Sequence, residues 1–521
     1  MFNKLIEQKL LVLYVFPFIV GSLSFLSFQP FNYSFINFVI FPMLFLLLSY
    51  VNKKSKNIYR KKPYLFNLFL IGYFFGIGFF LSGTHWISYS LTFDPSFKIL
   101  LPFSIILLPL TLGLFFGLAT LFSGPFLKSN FTSILIFSAS FGFFDYIRGN
   151  ILSGFPWNLW AYSWSWFTEI IQILNPIGLY AFNLLTITIF CLPSILFFKK
   201  HNNKILTLFF LISIFLSSYI YGSYTINNND KLINNKKNEE VYIKVVSPGF
   251  DLKYNLSEEE LLKLLKKLIK YSEPQKDKKT IFIWPEGVFS GYYFSDIKKF
   301  KKIIKENFSK KHLVIFGINT KKNDKFFNSM MVINSNFDPI YKYNKKKLVP
   351  FGEFLPFEKY LNNFGLKKIT QGYGSFSNGE NQKNFSIGNI HILPLICYEI
   401  IFPNLVQKSK KNTNLIINIS EDAWFGESIG PHQHLAKAIF RSIESNTFLI
   451  RSANKGHSAI INNRGQILKS LKPREIGNIE MKIPLVNQNK NKNKNDLIFF
   501  ILLITYMLIF FTIKKINNDK K

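Results

Sequence analysis

Cysteine is nearly absent: 521 residues contain two, Cys191 and Cys397. One lies inside an apolar segment, so no structural disulfide is expected. Acidic residues are scarce too, 30 Asp and Glu against 63 Lys and Arg, which leaves a net charge of +33. Such an excess is one mark of a nucleic-acid binder. Here the lysines sit largely beside apolar blocks or in Asn/Lys-rich loops, so no nucleic-acid partner is expected. Histidine numbers only 7. His432 and His434 invite a metal reading, but no third ligand stands at a familiar spacing, so a structural role is expected, with no metal and no cofactor. Charges are few inside the apolar segments, with Asp145 and Arg148 near the end of one, which argues against an ion or substrate path through them. No internal repeat is evident.

What is plentiful is apolar and aromatic. The chain is 48% hydrophobic and 18% aromatic, with 61 Phe, and it is too long for one ordinary domain. The apolar residues gather before about Tyr221 and again after Leu497, around a middle that reads as a soluble α/β domain. A spanning helix needs about 20 mostly apolar residues. Candidates are Leu10–Phe28, Ile36–Val51, Leu65–Leu81, Ile99–Phe122, Phe131–Phe144, Ile170–Phe198 and Ile205–Tyr221, with a last one at Leu497–Ile513. The first is followed by no small-residue cleavage site and by further spans, so it is not a cleaved signal. The expected organisation is a transmembrane domain of about seven helices over residues 1–225, a catalytic domain over 240–485 and a final transmembrane helix over 497–513.

Basic residues orient these spans, because short cytoplasmic loops carry the Lys and Arg. Lys53, Lys54, Lys56, Arg60, Lys61 and Lys62 follow the second span. Lys199, Lys200 and Lys204 follow the sixth. The connections Gln29–Ser34 and Gly83–Ser96 carry neither Lys nor Arg, and Lys98 is a lone exception. The N-terminus is therefore expected inside, the middle domain outside, and Lys514, Lys515, Lys520 and Lys521 inside. Lys490, Lys492 and Lys494 then fall outside, after a large translocated domain where the rule binds less. They belong to a low-complexity linker, Asn487–Asp496. The stretch Arg148–Glu169 holds Gly154-Phe155-Pro156-Trp157 and then Trp160, Tyr162, Trp164 and Trp166. It reads either as an interfacial aromatic belt or as an amphipathic loop that guides lipid. Asn175-Pro176 and Pro193 point to kinks in the sixth span.

From Val241 the pattern alternates strand and helix. Strands are expected at Val241–Val246, Ile281–Trp284, Leu313–Gly317, Met330–Asn334, Ile390–Ile396, Leu415–Asn418, Phe448–Arg451 and Ser458–Ile461. Ser257-Glu258-Glu259-Glu260 is a capping box opening an amphipathic helix to about Tyr271. A second helix is expected from about His434 to Asn446.

Three residues stand out chemically. Cys397 ends an apolar strand and is followed at once by polar residues. Glu286 follows another strand and a proline. Lys345 lies in Tyr343-Asn344-Lys345-Lys346-Lys347-Leu348. A free thiol has a pKa near 8.5 and is mostly protonated at neutral pH. A nearby carboxylate can take its proton during attack, and an ammonium can stabilise thiolate and oxyanion. Together they form a set for acyl transfer through a thioester. Each has an ordinary alternative: a buried thiol, a turn carboxylate, one lysine among many.

The order Trp284-Pro285-Glu286, Tyr343-Asn344-Lys345 and Ile396-Cys397-Tyr398-Glu399 resembles the nitrilase, or carbon–nitrogen hydrolase, superfamily. Leu348-Val349-Pro350-Phe351-Gly352-Glu353-Phe354 resembles the extended lysine motif of the bacterial apolipoprotein N-acyltransferase family. Ile419-Ser420-Glu421-Asp422-Ala423-Trp424-Phe425-Gly426, running on to Gly430-Pro431-His432-Gln433-His434, does so as well, and so does Gly154–Trp157. The resemblance covers essentially the whole chain. It implies a multi-span α-helical membrane domain joined to a nitrilase-like α-β-β-α sandwich, with the catalytic domain on the periplasmic side of the bacterial inner membrane. It implies Cys397 as acyl-accepting nucleophile, Glu286 as general base and Lys345 as charge stabiliser, with the backbone N–H after Cys397 completing an oxyanion hole. Glu353 would hold the lysine or relay protons, and Tyr398 and Glu399 would shape the pocket. Trp157, Tyr254 and Trp424 are the implied lipid or substrate contacts. The implied partners are the membrane, a phospholipid donor, typically phosphatidylethanolamine, and a diacylated apolipoprotein acceptor.

Departures touch substrate contact. Val246-Ser247-Pro248-Gly249-Phe250 replaces an expected Gln- and Asn-bearing strand end, Tyr254 stands where Trp is frequent, and Asn454-Lys455-Gly456 replaces a Thr-bearing turn. Two rivals remain: a membrane-tethered nitrilase-type amide hydrolase, and a transporter carrying a dead outer domain. The first leaves the eight spans and the Gly154–Trp157 loop unexplained. An intact Glu286, Lys345 and Cys397 argues against the second.

Overall fold

The computed structural model describes residues 9–58, 63–198, 204–233, 239–361, 375–380, 384–407, 413–485 and 495–519. Arg60, Lys61, Lys62, Lys199, Lys200, Lys490, Lys492, Lys494, Lys520 and Lys521, with most of the linker, lie outside them. The chain divides into two compact units. One is helical and takes in residues up to Ser88, Ile99–Thr225 and the C-terminal helix. The other takes in Tyr89–Lys98 and Ile226–Lys492.

In the helical unit, α1 (Leu11–Ser27) is a short apolar helix, with a π-helical start and a 3₁₀ end. Then come α2 (Asn37–Ile58), α3 (Pro63–Thr84), α4 (Leu101–Ser123), α5 (Phe131–Asn150), α6 (Leu179–Cys191) and α7 (Lys204–Ile233), and finally the C-terminal helix Asn495–Asp519. Among the described residues five helical stretches are long and apolar enough to cross a membrane: Ser34–Lys53, Tyr64–Thr92, Pro95–Phe126, Leu179–Phe197 and Asp496–Ile516. The expected sixth span is not one helix from Ile170. A 3₁₀ turn and one short helical turn precede Gly178, whose φ of 80° breaks the helix, and α6 starts afresh at Leu179.

The aromatic stretch after α5 is neither a belt nor a lipid-facing loop. Trp157, Trp160, Tyr162 and Trp164 are all buried, at 2% exposure or less. Trp160 is enclosed by Phe28, Phe41, Phe75, Phe79 and Phe116. Of the tryptophans in the stretch, Trp166 is the exposed one. Asp145 and Arg148 form a buried ion pair at 2.8 Å. Asn183 Nδ2 donates to Asp145 Oδ2, while Arg148 Nη1 donates to the carbonyls of Phe155 and Trp157. These charges hold the aromatic loop in place, and each has a partner, as buried charges must.

Among the described residues, the second unit is a sandwich of two six-stranded sheets. Its strands are β1 (Glu240–Ser247), β2 (Thr280–Ile283), β3 (His312–Lys322), β4 (Lys325–Asn334), β5 (Pro339–Asn344), β6 (Phe385–Ile387), β7 (Ile390–Ile396), β8 (Leu415–Glu421), β9 (Phe448–Asn454), β10 (Ser458–Ile461), β11 (Ile467–Leu471) and β12 (Gly477–Pro484). One sheet runs β12-β1-β2-β3-β4-β5 and the other β11-β10-β9-β8-β7-β6. The centres β1-β2-β3 and β7-β8-β9 are parallel, and the flanking pairs are antiparallel. Parallel strands are covered on both faces, so they read as near-continuous apolar runs. That is why Ile281–Ile283 and Leu415–Ile417 were legible.

Ile243, Val245, Ile283, Ile315 and Val332 of one sheet pack between the sheets with Ile392, Ile396, Ile417, Ile419 and Ile450 of the other. The outer face of the first sheet, at Phe282, Trp284, Val314 and Phe316, is covered by Leu261, Leu265 and Leu268 of helix α8 (Glu258–Ser272) and by Phe300 and Ile304. Helix α9 (Gly430–Ser445) packs on β9 of the second. The layers are therefore α-β-β-α, as the resemblance implied. The capping box forms as expected: Ser257 Oγ accepts from the Glu260 N–H, and Glu260 Oε2 from the Ser257 N–H.

Candidate active site

The carboxyl ends of parallel strands are where open α/β sheets place their ligands. Cys397 follows β7 directly, Glu286 stands three residues past β2, and Glu421 and Asn454 end β8 and β9. The two parallel centres thus supply these residues from facing sheets.

Cys397 has a φ of 46°. That left-handed conformation costs an L-residue roughly 1–2 kcal/mol, and it turns the thiol out of the strand line. The turn is held by Glu399, which is fully buried. Glu399 Oε2 accepts from the Ile396 N–H at 2.8 Å; Oε1 accepts from the Tyr343 hydroxyl at 2.8 Å and the Lys346 N–H at 2.7 Å. One carboxyl therefore ties the nucleophile turn to the lysine segment. Burial pushes Glu399 above the usual carboxylate range against these hydrogen bonds.

Lys345 is 1% exposed. Its Nζ lies 3.0 Å from Glu353 Oε1 and 3.4 Å from Glu286 Oε1. Burial alone favours the neutral amine, but the charges of Glu286 and Glu353 oppose it, and Lys345 is held above the ordinary lysine value. Glu286 also accepts from Asn328 Nδ2 at 2.6 Å and, through Oε2, from the Glu421 N–H at 3.0 Å. Glu353 accepts from the same Asn328 nitrogen at 2.7 Å and from the Val349 N–H at 2.8 Å. Asn328 thus bridges both carboxylates, and its own carbonyl takes the Lys345 N–H at 2.8 Å.

Cys397 is buried. Burial pushes its thiol well above the ordinary value, and Glu286 adds to this; Lys345 and a hydrogen bond from Ser420 oppose it. The resting group is a thiol, so attack requires a base to take its proton, and Glu286 is the carboxylate whose charge acts on it most strongly.

The chain matches the carbon-nitrogen hydrolase family over residues 246–488 and the apolipoprotein N-acyltransferase N-terminal domain over residues 20–192. The apolipoprotein N-acyltransferase of Rickettsia typhi is 33% identical over 478 residues, which cover 90% of this chain and 91% of that protein. That of Rickettsia prowazekii is 32% identical, covering 89% and 91%. That of Rhizobium leguminosarum is 29% identical, covering 89% and 88%. The chain belongs to the apolipoprotein N-acyltransferase family.

In this member of the family the other expected residues fall in different places. Tyr254 is half-buried, and its phenol feels burial first and then the charges of Glu421, Glu286 and Glu353, which raise it. Trp424 packs edge-on against Phe93 at 5.0 Å. Tyr398 packs on Phe402. Trp157 belongs to the helical unit, buried against Trp86 and Phe155.

Two residues of the site escaped the sequence. Asn328 lies just ahead of the apolar run Met330–Ile333, where it reads as a strand edge. Glu421 sits inside a motif noted for its aromatic end. Its carboxyl accepts from Asn454 Nδ2 at 3.0 Å and the Ala423 N–H at 3.1 Å, and burial raises it well above the usual range. Gly287, at φ 74°, leaves room for it: a Cβ there would stand 2.6 Å from Glu421 Oε2. His432 and His434 are engaged as well. His434 Nδ1 meets Asp422 Oδ1 at 3.1 Å, beside the Arg451–Asp422 ion pair at 2.7 Å, and His432 meets His457 at 3.0 Å. Among the described residues no three His, Cys, Asp or Glu gather as a metal site.

Proposed function

We propose that the chain transfers one fatty acyl group from a membrane phospholipid to the N-terminal amine of the diacylglyceryl-cysteine of an apolipoprotein. The observation that carries this reading is the buried Glu286–Lys345–Glu353 cluster, tied through Glu399 to the turn that carries Cys397, in a chain of this family. Glu286 takes the Cys397 proton as sulfur attacks the ester carbonyl. Lys345, held protonated, and the backbone N–H after Cys397 stabilise the oxyanion. The carbon–oxygen bond breaks, Glu286 returns the proton to the leaving oxygen, and a lysophospholipid departs. The acceptor amine then attacks the thioester, loses its proton to Glu286, and the amide forms as the thiol is restored. Glu353 and Asn328 position Lys345 and Glu286.

Phosphatidylethanolamine is the donor assigned here. The catalytic domain, residues 240–485, faces the periplasm from the inner membrane, between a helical domain of residues 1–225 and a last span at 497–513. Lysine-poor connections at Gln29–Ser34 and Gly83–Ser96, against the basic segment after α2, support that orientation. Both substrates are held in the bilayer by their acyl chains, so encounter is two-dimensional.

The test is a reconstitution. Purified protein is given phosphatidylethanolamine and a diacylglyceryl-cysteine peptide, and products are read by mass spectrometry. Lysophospholipid and N-acylated peptide in equal amounts are expected. Free fatty acid with the peptide unchanged would instead indicate a hydrolase.

A further inference from the structure

Within the α/β unit a cleft of about 190 Å³ is lined by Tyr89, Phe93, Asp251, Ala423, Lys455 and Arg474. The reaction steps above use none of these side chains. A cavity of roughly 150 Å³ holds a molecule the size of benzene, so this one suits a small polar headgroup and is too small for a whole lipid.

Its charges come in pairs. Lys455 is bonded to Asp251, and Arg474 to Glu427. The Arg474 charge also reaches Asp251, which Lys455 holds below the usual carboxylate range. Lys455, at φ 55°, and Arg474, at φ 68°, both adopt a left-handed backbone that L-residues seldom take. Such strain persists where the surroundings enforce it, and it clusters at ligand clamps. Gly426 completes the wall at φ 60°, with the Tyr89 ring 2.6 Å from where a Cβ would stand. Any side chain there would displace Tyr89.

The cleft adjoins the network that holds Glu286. Lys455 follows Asn454, which donates to Glu421 Oε1 and Oε2 at 3.0 Å. Asp251 follows Phe250, whose N–H donates to Asn454 Oδ1 at 2.8 Å. The Glu421 N–H in turn donates to Glu286. In a phospholipid, the scissile ester and the phosphate are separated by part of a glycerol unit. A headgroup site should therefore stand next to the thiol's base rather than on it.

We propose that this cleft binds the zwitterionic headgroup of the donor, its phosphate on Lys455 and Arg474 and its ammonium on Asp251 and Glu427. Exposed ion pairs contribute little to stability, so exchanging two of them for contacts with a bound zwitterion is easy. The inference rests on the acyl-transfer reading and adds how the donor is chosen.

The test uses the full-length protein in detergent with three donors carrying the same acyl chain: phosphatidylethanolamine, phosphatidylglycerol and a headgroup-free 4-nitrophenyl ester. Lys455→Met and Arg474→Gln should each raise KM for both phospholipids about fivefold, the scale of one partly exposed charged contact. KM for the ester should not move, nor kcat. The double substitution Asp251→Asn with Glu427→Gln should raise KM for phosphatidylethanolamine and not for phosphatidylglycerol. Phospholipid KM values within twofold of wild type would overturn the assignment, and so would an equal rise for the ester. Inorganic phosphate competing as well as glycerophosphoethanolamine would show a bare-phosphate site and overturn it too. If the wild type transfers from none of the donors, the acyl-transfer reading itself falls, and this assignment with it.

Discussion

Asn328 is the sharpest place to perturb the site. Its Nδ2 donates to Glu286 Oε1 at 2.6 Å and to Glu353 Oε1 at 2.7 Å. Asn328→Ala removes both bonds and keeps the backbone carbonyl that takes the Lys345 N–H. A hydrogen bond to a charged group contributes about 1.5–3 kcal/mol. One of the two bonds falls on the base, so the barrier to thioester formation should rise by that amount, or about 10- to 100-fold in rate. The other falls on Glu353, whose hold on Lys345 at 3.0 Å survives. The variant should therefore stay folded and keep some activity. Rapid-quench mass spectrometry of the acyl-enzyme gives the rate directly. Asn328→Asp should be slower still, because it replaces a donor with a third carboxylate. Acylation by Asn328→Ala within twofold of wild type would refute the argument that this amide orients the base.

Other expectations follow from the same geometry. Cys397→Ala should abolish transfer while leaving membrane insertion intact; retained transfer would sink the thioester mechanism. Lys345→Met leaves Glu286 and Glu353 buried without their cation and should destabilise the protein by about 3–5 kcal/mol. Adding Glu353→Gln should recover part of the melting temperature, and no recovery would mean that the charge pairing is not the cause. Burial pushes the Cys397 thiol up, so iodoacetamide should alkylate it slowly at pH 7–8, and reaction at the rate of a free thiol would contradict that. Burial, with Arg451 assisting, lowers His434 to about 4 from an ordinary 6.5. Between those values the unfolded chain binds the proton that the folded one refuses. His434 alone should therefore make stability fall as pH drops from about 6.5 toward 4, by at most about 3 kcal/mol. A His434→Gln variant should lose part of the slope in thermal melts, the rest staying with His457, which burial also lowers to about 4; an unchanged slope would contradict the assignment.

Structure is legible in this sequence where one physical signal dominates. Ile390–Ile396 is apolar because both of its faces are covered, and the observed strand ends at Ile396 with the thiol next. The capping box at Ser257 is a local hydrogen-bond pattern and needs no tertiary information. Strands β5 and β11 were missed because most of their residues are exposed or half-buried, which leaves little apolar run to see. Asn328 was missed because its burial is tertiary: only the facing carboxylates explain a polar side chain there. The Trp157–Trp164 stretch was misread for a related reason. Tryptophans near a span end suit an interface by composition, but the Asp145–Arg148 pair folds the loop back inside the helical unit. Gly178 broke the sixth span where the neighbouring prolines drew attention instead. Glu286, Lys345 and Cys397 stand out by motif, while the pairing of Lys345 with Glu286 and the second carboxylate at 3.0 Å from Lys345 need the fold.

The central claim is a covalent acyl group on Cys397 that an amine removes. Full-length protein is incubated with phosphatidylethanolamine alone, digested, and the peptide holding Cys397 is weighed. It is then chased with a diacylglyceryl-cysteine peptide. A fatty-acyl mass on Cys397 is expected, labile to hydroxylamine as a thioester, that disappears on the chase and reappears on the amine of the added peptide. An acyl group found on another residue would contradict the account, and so would one that leaves as free fatty acid while the peptide stays unmodified.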